Sequence, residues 1–318
     1  MKIKGNFDEN NKSNSSITVP LSESGHKSPS EKIEGFRQAM HKAGLRPQSD
    51  IVTDGKFHRF SSNGESNDKA GWYVFYQSPI FAGSFGCWRK GIQEKWSSVN
   101  KKDMTPQQEI ELKNIFDDAK KQRELEEERN KAVARSRAEE IWDQSTEATV
   151  DHPYLHSKEV QHHDLKVSKG KLVVPLYDQD HILQSIQFIN TNGEKKFLGG
   201  GRTKGCYYPM GEKLEKTLYV AEGFATAATI QETIGGSVAV AFNANNLKPV
   251  AISLREKYPT IEIVICADDD HKTEGNPGIT KAVEAARASR SKIAVPVFDK
   301  NRRDKDTDYN DLYHNGGP

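Results

Sequence analysis

Cysteine is scarce in this sequence: Cys87, Cys206 and Cys266 are the only three in 318 residues. They are far apart and odd in number, which excludes a disulfide framework and a four-cysteine zinc site. Long apolar runs are missing as well. No stretch approaches the ~20 residues needed to span a bilayer, so no membrane partner is expected. The first ten residues hold no apolar segment of the secretory kind. These absences together imply a reducing, cytoplasmic setting. An excess of either charge is also lacking: 46 Lys and Arg stand against 45 Asp and Glu, net +1. A uniformly basic coat for nucleic acid is thereby excluded, while a local basic patch is not. There is no GlyXXXXGlyLys(Ser/Thr) run, hence no P-loop helicase. Only 35% of residues are hydrophobic and 29% are charged. A core can form only if part of the chain stays outside it.

The near-zero total hides a strong local asymmetry. Residues 31–102 carry 12 basic and 7 acidic side chains, and residues 103–147 carry 8 and 13. A basic block followed by an acidic one suggests separate structural units. Residues 1–30, rich in Asn, Ser and Lys, read as a disordered tail. Residues 31–102 read as a small aromatic α+β module, with a helix at Glu31–Ala43 and short antiparallel strands such as Trp72–Tyr76. Ten of the chain's 27 aromatic residues lie between Phe57 and Trp96. Residues 103–147 read as a helical linker, capped by Thr105 and Pro106 and polar all round in its middle. Residues 148–212 form a small β-rich subdomain, with strands at Lys171–Tyr177 and His181–Ile189. Residues 213–318 alternate strand and helix, with strands at Thr217–Ala221, Ser237–Phe242, Ile261–Ala267 and Lys292–Phe298. That alternation predicts an α/β fold with a parallel, doubly wound sheet.

Acidic residues follow directly on two of these strands. Glu222 comes after Thr217–Ala221, and Asp268, Asp269 and Asp270 come after Ile261–Ala267. The carboxyl ends of parallel strands are where open α/β sheets place ligands. Side chains alternate along an extended segment, so Asp268 and Asp270 share a side and Asp269 turns away. Gathered carboxylates repel one another unless a cation joins them, and Mg²⁺ (or Mn²⁺) is the oxygen-seeking choice. A third acidic segment, with Asp306 and Asp308, follows the last strand. Loop acids capping helices or facing solvent are the competing reading for any one of them.

The segments TyrValAlaGluGlyPheAlaThrAla, IleCysAlaAspAspAspHis and LysAspThrAspTyrAsnAspLeu, in this order, resemble the Toprim domain of primases, topoisomerases and related nucleases. The upstream stretch LysLeuValValProLeuTyrAsp, with GluLysLysPheLeuGlyGlyGlyArgThrLysGly, resembles the region ahead of Toprim in bacterial-type primases. AspGlyLysPheHisArgPhe and SerPheGlyCysTrpArg resemble the start of the zinc-free primases of plasmids, conjugative elements and phages. The resemblance covers roughly residues 50–100 and 150–313. It implies an enzyme, a DNA-dependent RNA primase that makes short primers on single-stranded DNA by Mg²⁺-dependent nucleotidyl transfer from NTPs. It also implies catalytic Glu222, Asp268 and Asp270, metal ligands that include Asp306 and Asp308, and NTP or template contacts by Lys196, Arg202 and Lys204. Surface charge is the competing reading for these three cations. The replicative primases' zinc ribbon has no counterpart, since His58 and Cys87 alone do not make a zinc site. The aromatic module takes its place, with Arg59, Trp72, Trp88 and Arg89 as candidates for single-stranded DNA. Most of its rings are expected in its core. A helicase on a separate chain is the implied partner. The alternatives are a Toprim metal-dependent nuclease and a non-catalytic single-strand-binding accessory protein. A type IA topoisomerase would need larger strand-passing domains.

Overall fold

The computed structural model describes residues 17–18, 27–66, 68–211, 214, 216–300 and 302–315. The expected tail falls mostly outside the described residues. Within it, Ile17–Thr18 (β1) is a short strand, and helix α1 (Pro29–Lys42) starts before residue 31. Ser28 and Glu31 form a reciprocal capping box at the start of α1, satisfying two backbone donors that would otherwise lack partners.

The chain divides into two compact units, Met1–Glu128 and Arg129–Pro318. In the first, β2 (His58–Phe60), β3 (Gly71–Tyr76), β4 (Ala82–Cys87) and β5 (Ile92–Ser97) follow α1, and helix α2 (Pro106–Gln144) begins after a 3₁₀ turn. The sheet order is β1-β5-β4-β3-β2, with β1 parallel to β5 and the remaining pairs antiparallel. Alternation assigns one face to each helix. Tyr73, Phe75 and Phe85 pack on Phe36 and Met40 of α1. Ile80 and Ala82 pack on Leu112, Ile115 and Phe116 of α2.

Helix α2 is therefore more than the solvated connector its composition suggests. Its middle is exposed, as at Leu125, but both ends bury apolar side chains. Ala138, toward its C-terminus, packs with Val173, Leu183, Ile186 and Leu198 of the second unit.

The second unit contains two sheets. The first comprises β6 (Thr146–Glu147), β7 (Lys166–Ser168), β8 (Lys171–Tyr177), β9 (Leu183–Ile189) and β10 (Lys195–Phe197), with helix α3 (Pro153–Lys158) after β6. It is antiparallel, in the order β10-β9-β8-β7-β6. The second comprises β11 (Tyr208–Met210), β12 (Thr217–Ala221), β13 (Ser237–Val240), β14 (Glu262–Cys266) and β15 (Lys292–Ala294). Its order is β11-β13-β12-β14-β15, parallel apart from the β11 edge. The strand expected over 292–298 stops at Ala294.

Helices α4 (Phe224–Ile234), α5 (Ala244–Lys257), α6 (Pro277–Ser289) and α7 (Tyr309–His314) complete the unit. Alternation again sorts the layers. Leu218, Val220, Ile263 and Ile265 face Leu247, Val250 and Leu254 of α5 and Ala282, Ala285 and Ala286 of α6. Ala221, Val238, Val240 and Cys266 face α4, whose Phe224, Ala225 and Ala228 also meet Leu172, Val174 and Ile189 of the antiparallel sheet. Helix α4 thus shares one core with both sheets.

Candidate active site

Strands β12 and β14 are hydrogen-bonded neighbours in parallel register, Ala221 opposite Cys266. The acids that follow them therefore emerge at one edge. The backbone N–H of Ala244 lies close enough to the Glu222 carboxylate to favour its ionised form. Burial, with Asp270 next, raises the proton affinity of Glu222, while Lys195 and that N–H oppose the rise. Asp268 is affected most. Burial first, then Glu222, Asp308 and Asp270, push it well above the ordinary carboxylate range. Its Oδ1 is buried and has no hydrogen-bond partner.

The surrounding elements fix the other two members. Gly278, in the first turn of α6, donates its N–H to Asp270 Oδ2 at 2.8 Å. A Cβ at Gly278 would stand 2.3 Å from the Asp268 carbonyl oxygen and 2.9 Å from Asp270 Oδ2, so only glycine fits there. Asp308 caps α7, with Oδ1 accepting from Asp311 N at 2.9 Å. Its Oδ2 accepts from Thr226 Oγ1 of α4 at 2.8 Å. Glu222, Asp268, Asp270 and Asp308 are thus brought within electrostatic reach of one another.

Asp269 turns away, as alternation predicts. It accepts from Arg302 Nη1 at 2.6 Å and from Asn276 Nδ2 at 2.6 Å. Burial would raise its pKa, but these bonds outweigh burial and hold it below the usual value. Arg302 Nη2 also donates to the carbonyls of Asp269 and Asp306, both at 2.8 Å, and Asp269 N donates to Thr307 O at 2.7 Å. These bonds join the loop after β14 to the loop before α7. Nothing in the sequence marks Arg302 for this, because its partner lies 33 residues away.

Three sequence expectations change. The first concerns Asp306, which is not with the other acids. It is fully buried, with its carboxylate on Arg303 Nε at 3.0 Å and on Asn315 Nδ2 at 2.6 Å. Burial works against ionisation here, but Arg303 and Asn315 win and hold the pKa at about 2.

The second concerns Lys196, which lies on the wrong face of β10. It pairs across the strands with Phe188, whose neighbours belong to the α2 side, and its ammonium meets Glu194 at 2.8 Å. Lys195 pairs with Ile189, which faces α4. Its Nζ lies 3.5 Å from where a Cβ at Gly223 would stand. Lys195 is the cation that acts on both Glu222 and Asp268. Arg202 points instead toward Asp178, at 4.0 Å. The loop carrying Arg202 and Lys204 is tied to the sheet through Asn246, whose Oδ1 accepts from Gly205 N at 2.8 Å and whose Nδ2 donates to Ala241 O at 2.8 Å.

The third lies in the first unit. Trp72 is only 2% exposed and stacks on Phe57 at 5.6 Å, so its faces are occupied. The Arg59 guanidinium covers the Trp88 ring at 4.9 Å and reaches Glu126 at 3.4 Å. Arg89 pairs with Asp68 at 2.8 Å. All four candidate DNA contacts are engaged within the unit.

The acidic edge fits a divalent cation. Its donors are hard oxygens, and the unpartnered buried Oδ1 of Asp268 is a group that costs free energy until something positive meets it. Among the described residues no group of three or more His, Cys, Asp or Glu side chains is arranged to hold a metal ion, so the carboxylates stand near one another without being drawn to one point.

The sequence of residues 217–318 matches the Toprim domain family. Similarity extends well beyond these residues: an alignment 266 positions long, covering 78% of the chain, is 33% identical to a DNA primase TraC of Escherichia coli. A second protein of that name from the same organism is 29% identical over 282 residues. The chain spans 24% and 19% of the lengths of these two relatives. Among solved structures, the primase fragment of the bacteriophage T7 primase–helicase protein has a TM-score of 0.41 at 16% identity, covering 55% of this chain and 73% of that one. The Aquifex aeolicus primase has a TM-score of 0.41 at 13% identity, covering 91% and 82%. Within the residues that match the Toprim family, Glu222, Asp268, Asp270 and Asp308 follow the carboxyl ends of the strands or cap α7. Among the described residues no helix is long and apolar enough to cross a membrane.

Proposed function

We propose that the chain is a DNA-dependent RNA primase, carrying out Mg²⁺-dependent nucleotidyl transfer on a single-stranded DNA template. The observation that supports this best is the buried, unpartnered Oδ1 of Asp268, on a carboxyl whose proton affinity burial, and then Glu222, Asp308 and Asp270, raise. The similarity to proteins named DNA primase continues upstream of that edge, which favours polymerisation over hydrolysis.

When bound, Mg²⁺ (or Mn²⁺) lowers the pKa of an attacking hydroxyl and neutralises charge on the leaving pyrophosphate. Asp268 and Asp270 are the principal ligands in this reading, and Asp308 completes the set. Glu222, whose raised pKa suits proton transfer, holds a ligand position or takes the proton of the primer 3′-hydroxyl. Lys195 meets an NTP phosphate from the face of β10 that looks on the acids. Asp306 and Asp269 fix the two loops and touch no substrate. The reading needs no zinc, and it places the protein with DNA in the cytoplasm, alongside a helicase on another chain.

One reaction tests this. The full chain is incubated with 5′-labelled single-stranded DNA, α-labelled NTPs and Mg²⁺. Short labelled RNA over an intact DNA label is the expected result. A shortened DNA label without RNA would make the site a nuclease. Retarded DNA with neither product would make the protein a binding factor.

A further inference from the structure

Phe197 and Phe242 form an aromatic pair that the proposed chemistry does not use. Phe197 ends β10, is 37% exposed, and is followed by the buried Leu198. It lies two residues beyond Lys195, on the same face by alternation. That face looks on the acids, because the Lys195 ammonium lies beside Gly223. The Cα atoms that carry the ring and the ammonium are one pleat apart, roughly 6.6 Å along the strand. Two side chains so placed on one face can serve the phosphate and the base of one nucleotide.

Phe242 backs the exposed ring. The two centroids are 6.1 Å apart and the planes are inclined at 70°, an edge-to-face contact. An edge-to-face contact of this kind covers at most one face of Phe197, and 37% of the residue stays exposed. Phe242 is itself 7% exposed and has φ +72°. A bulky residue in the left-handed region is strained, and such strain persists where the surroundings enforce it. Glycine would make this turn without strain, so the ring is the reason for phenylalanine here. The position is two residues before Ala244, whose N–H favours the ionised form of Glu222.

We infer that Phe197, braced by Phe242, is the stacking surface for a nucleobase whose phosphates lie at the acidic edge, an inference that rests on the proposed function. A π-face accepts every base, which suits a site that must take each of the four nucleotides. The shared chemistry is a nucleobase, carried by the incoming NTP or by the template strand.

The test measures equilibrium binding to the full chain in Mg²⁺, with ATP, inorganic tripolyphosphate and oligodeoxythymidylate as separate probes. Phe197→Ala is compared with Phe197→Trp and wild type. Removing the ring is expected to weaken ATP binding by roughly 5- to 150-fold, leave tripolyphosphate unchanged, and be rescued by tryptophan. The same loss and rescue with oligodeoxythymidylate in place of ATP would support a template base at the same surface. Equal weakening of ATP and tripolyphosphate would reduce Phe197 to packing and overturn the inference, as would no change with any probe. A wild-type chain that binds neither ATP nor the oligonucleotide would remove the proposed function, a separate result, and this inference with it.

Discussion

Asp268 shows how single residues carry the site. Its raised pKa means that ionisation works against the metal-free fold. Such a group contributes stability below the ordinary carboxylate pKa, and this is lost as pH rises through its raised value. Asp268→Asn is therefore expected to raise the Tm of the metal-free protein at pH 8 by roughly 2–4 °C, the scale of about 1 kcal/mol in a unit of this size. Mg²⁺ is expected to raise the wild-type Tm more at pH 8 than at pH 5, and the variant's Tm less at either pH. Differential scanning fluorimetry reads all three. A variant less stable than wild type without metal would mean the carboxylate is already compensated. The two adjacent lysines give a second test. Lys195→Ala is expected to slow NTP incorporation at least about tenfold, the scale of a lost charged contact to a phosphate, and Lys196→Ala to leave it within about twofold. Equal effects in single-turnover rates would contradict the facing assigned to β10.

At the scale of elements, what the sequence makes legible follows the periodicity. Glu222, Asp268 and Asp270 are readable because each follows a strong apolar strand, and strand ends in a parallel sheet share an edge. Asp269 is readable as turned away for the same reason. The choice between Lys195 and Lys196 is not, because the facing of a short edge strand depends on its pairing with Ile189. Nor is the choice between Asp306 and Asp308: the segment has no strand to set its phase, and Arg303 and Asn315 decide it. Trp72 has the composition of a stacking residue, yet the pleat turns it inward. Arg302 is a positioning residue at this scale, joining the two acid-bearing loops from outside the cluster. Arg302→Lys keeps the charge but loses the planar fork that reaches Asp269 and two carbonyls. It is expected to weaken Mg²⁺ affinity roughly 10- to 100-fold, as loss of an outer support does, with unchanged tripolyphosphate binding in saturating Mg²⁺. Calorimetric titration measures both, and an unchanged Mg²⁺ affinity would return Arg302 to loop packing.

Across the whole molecule, two compact units are linked by the sequence of one long helix, whose ends each supply packing residues to the unit they belong to. Polar composition suggests a spacer here, since only scattered side chains such as Phe116 and Ala138 show that each end is used. The alternating strand–helix pattern of residues 217–294 is visible from sequence because each strand is apolar and each helix is punctuated by Gly, Asn or Pro. The function proposed for the chain depends on four carboxylates from three separate segments acting as one set, and on two nearby aspartates being excluded from it. The most direct test is Mg²⁺-dependent incorporation of labelled NTPs on single-stranded DNA by full-length Asp→Asn variants at 268, 270, 308, 269 and 306, each first shown to be folded. Changes at Asp268, Asp270 and Asp308 are expected to lower incorporation by two orders of magnitude or more, about 2.7 kcal/mol in the barrier. Those at Asp269 and Asp306 are expected to keep it within about tenfold. Full activity in Asp308→Asn, with activity abolished in Asp306→Asn, would contradict the account.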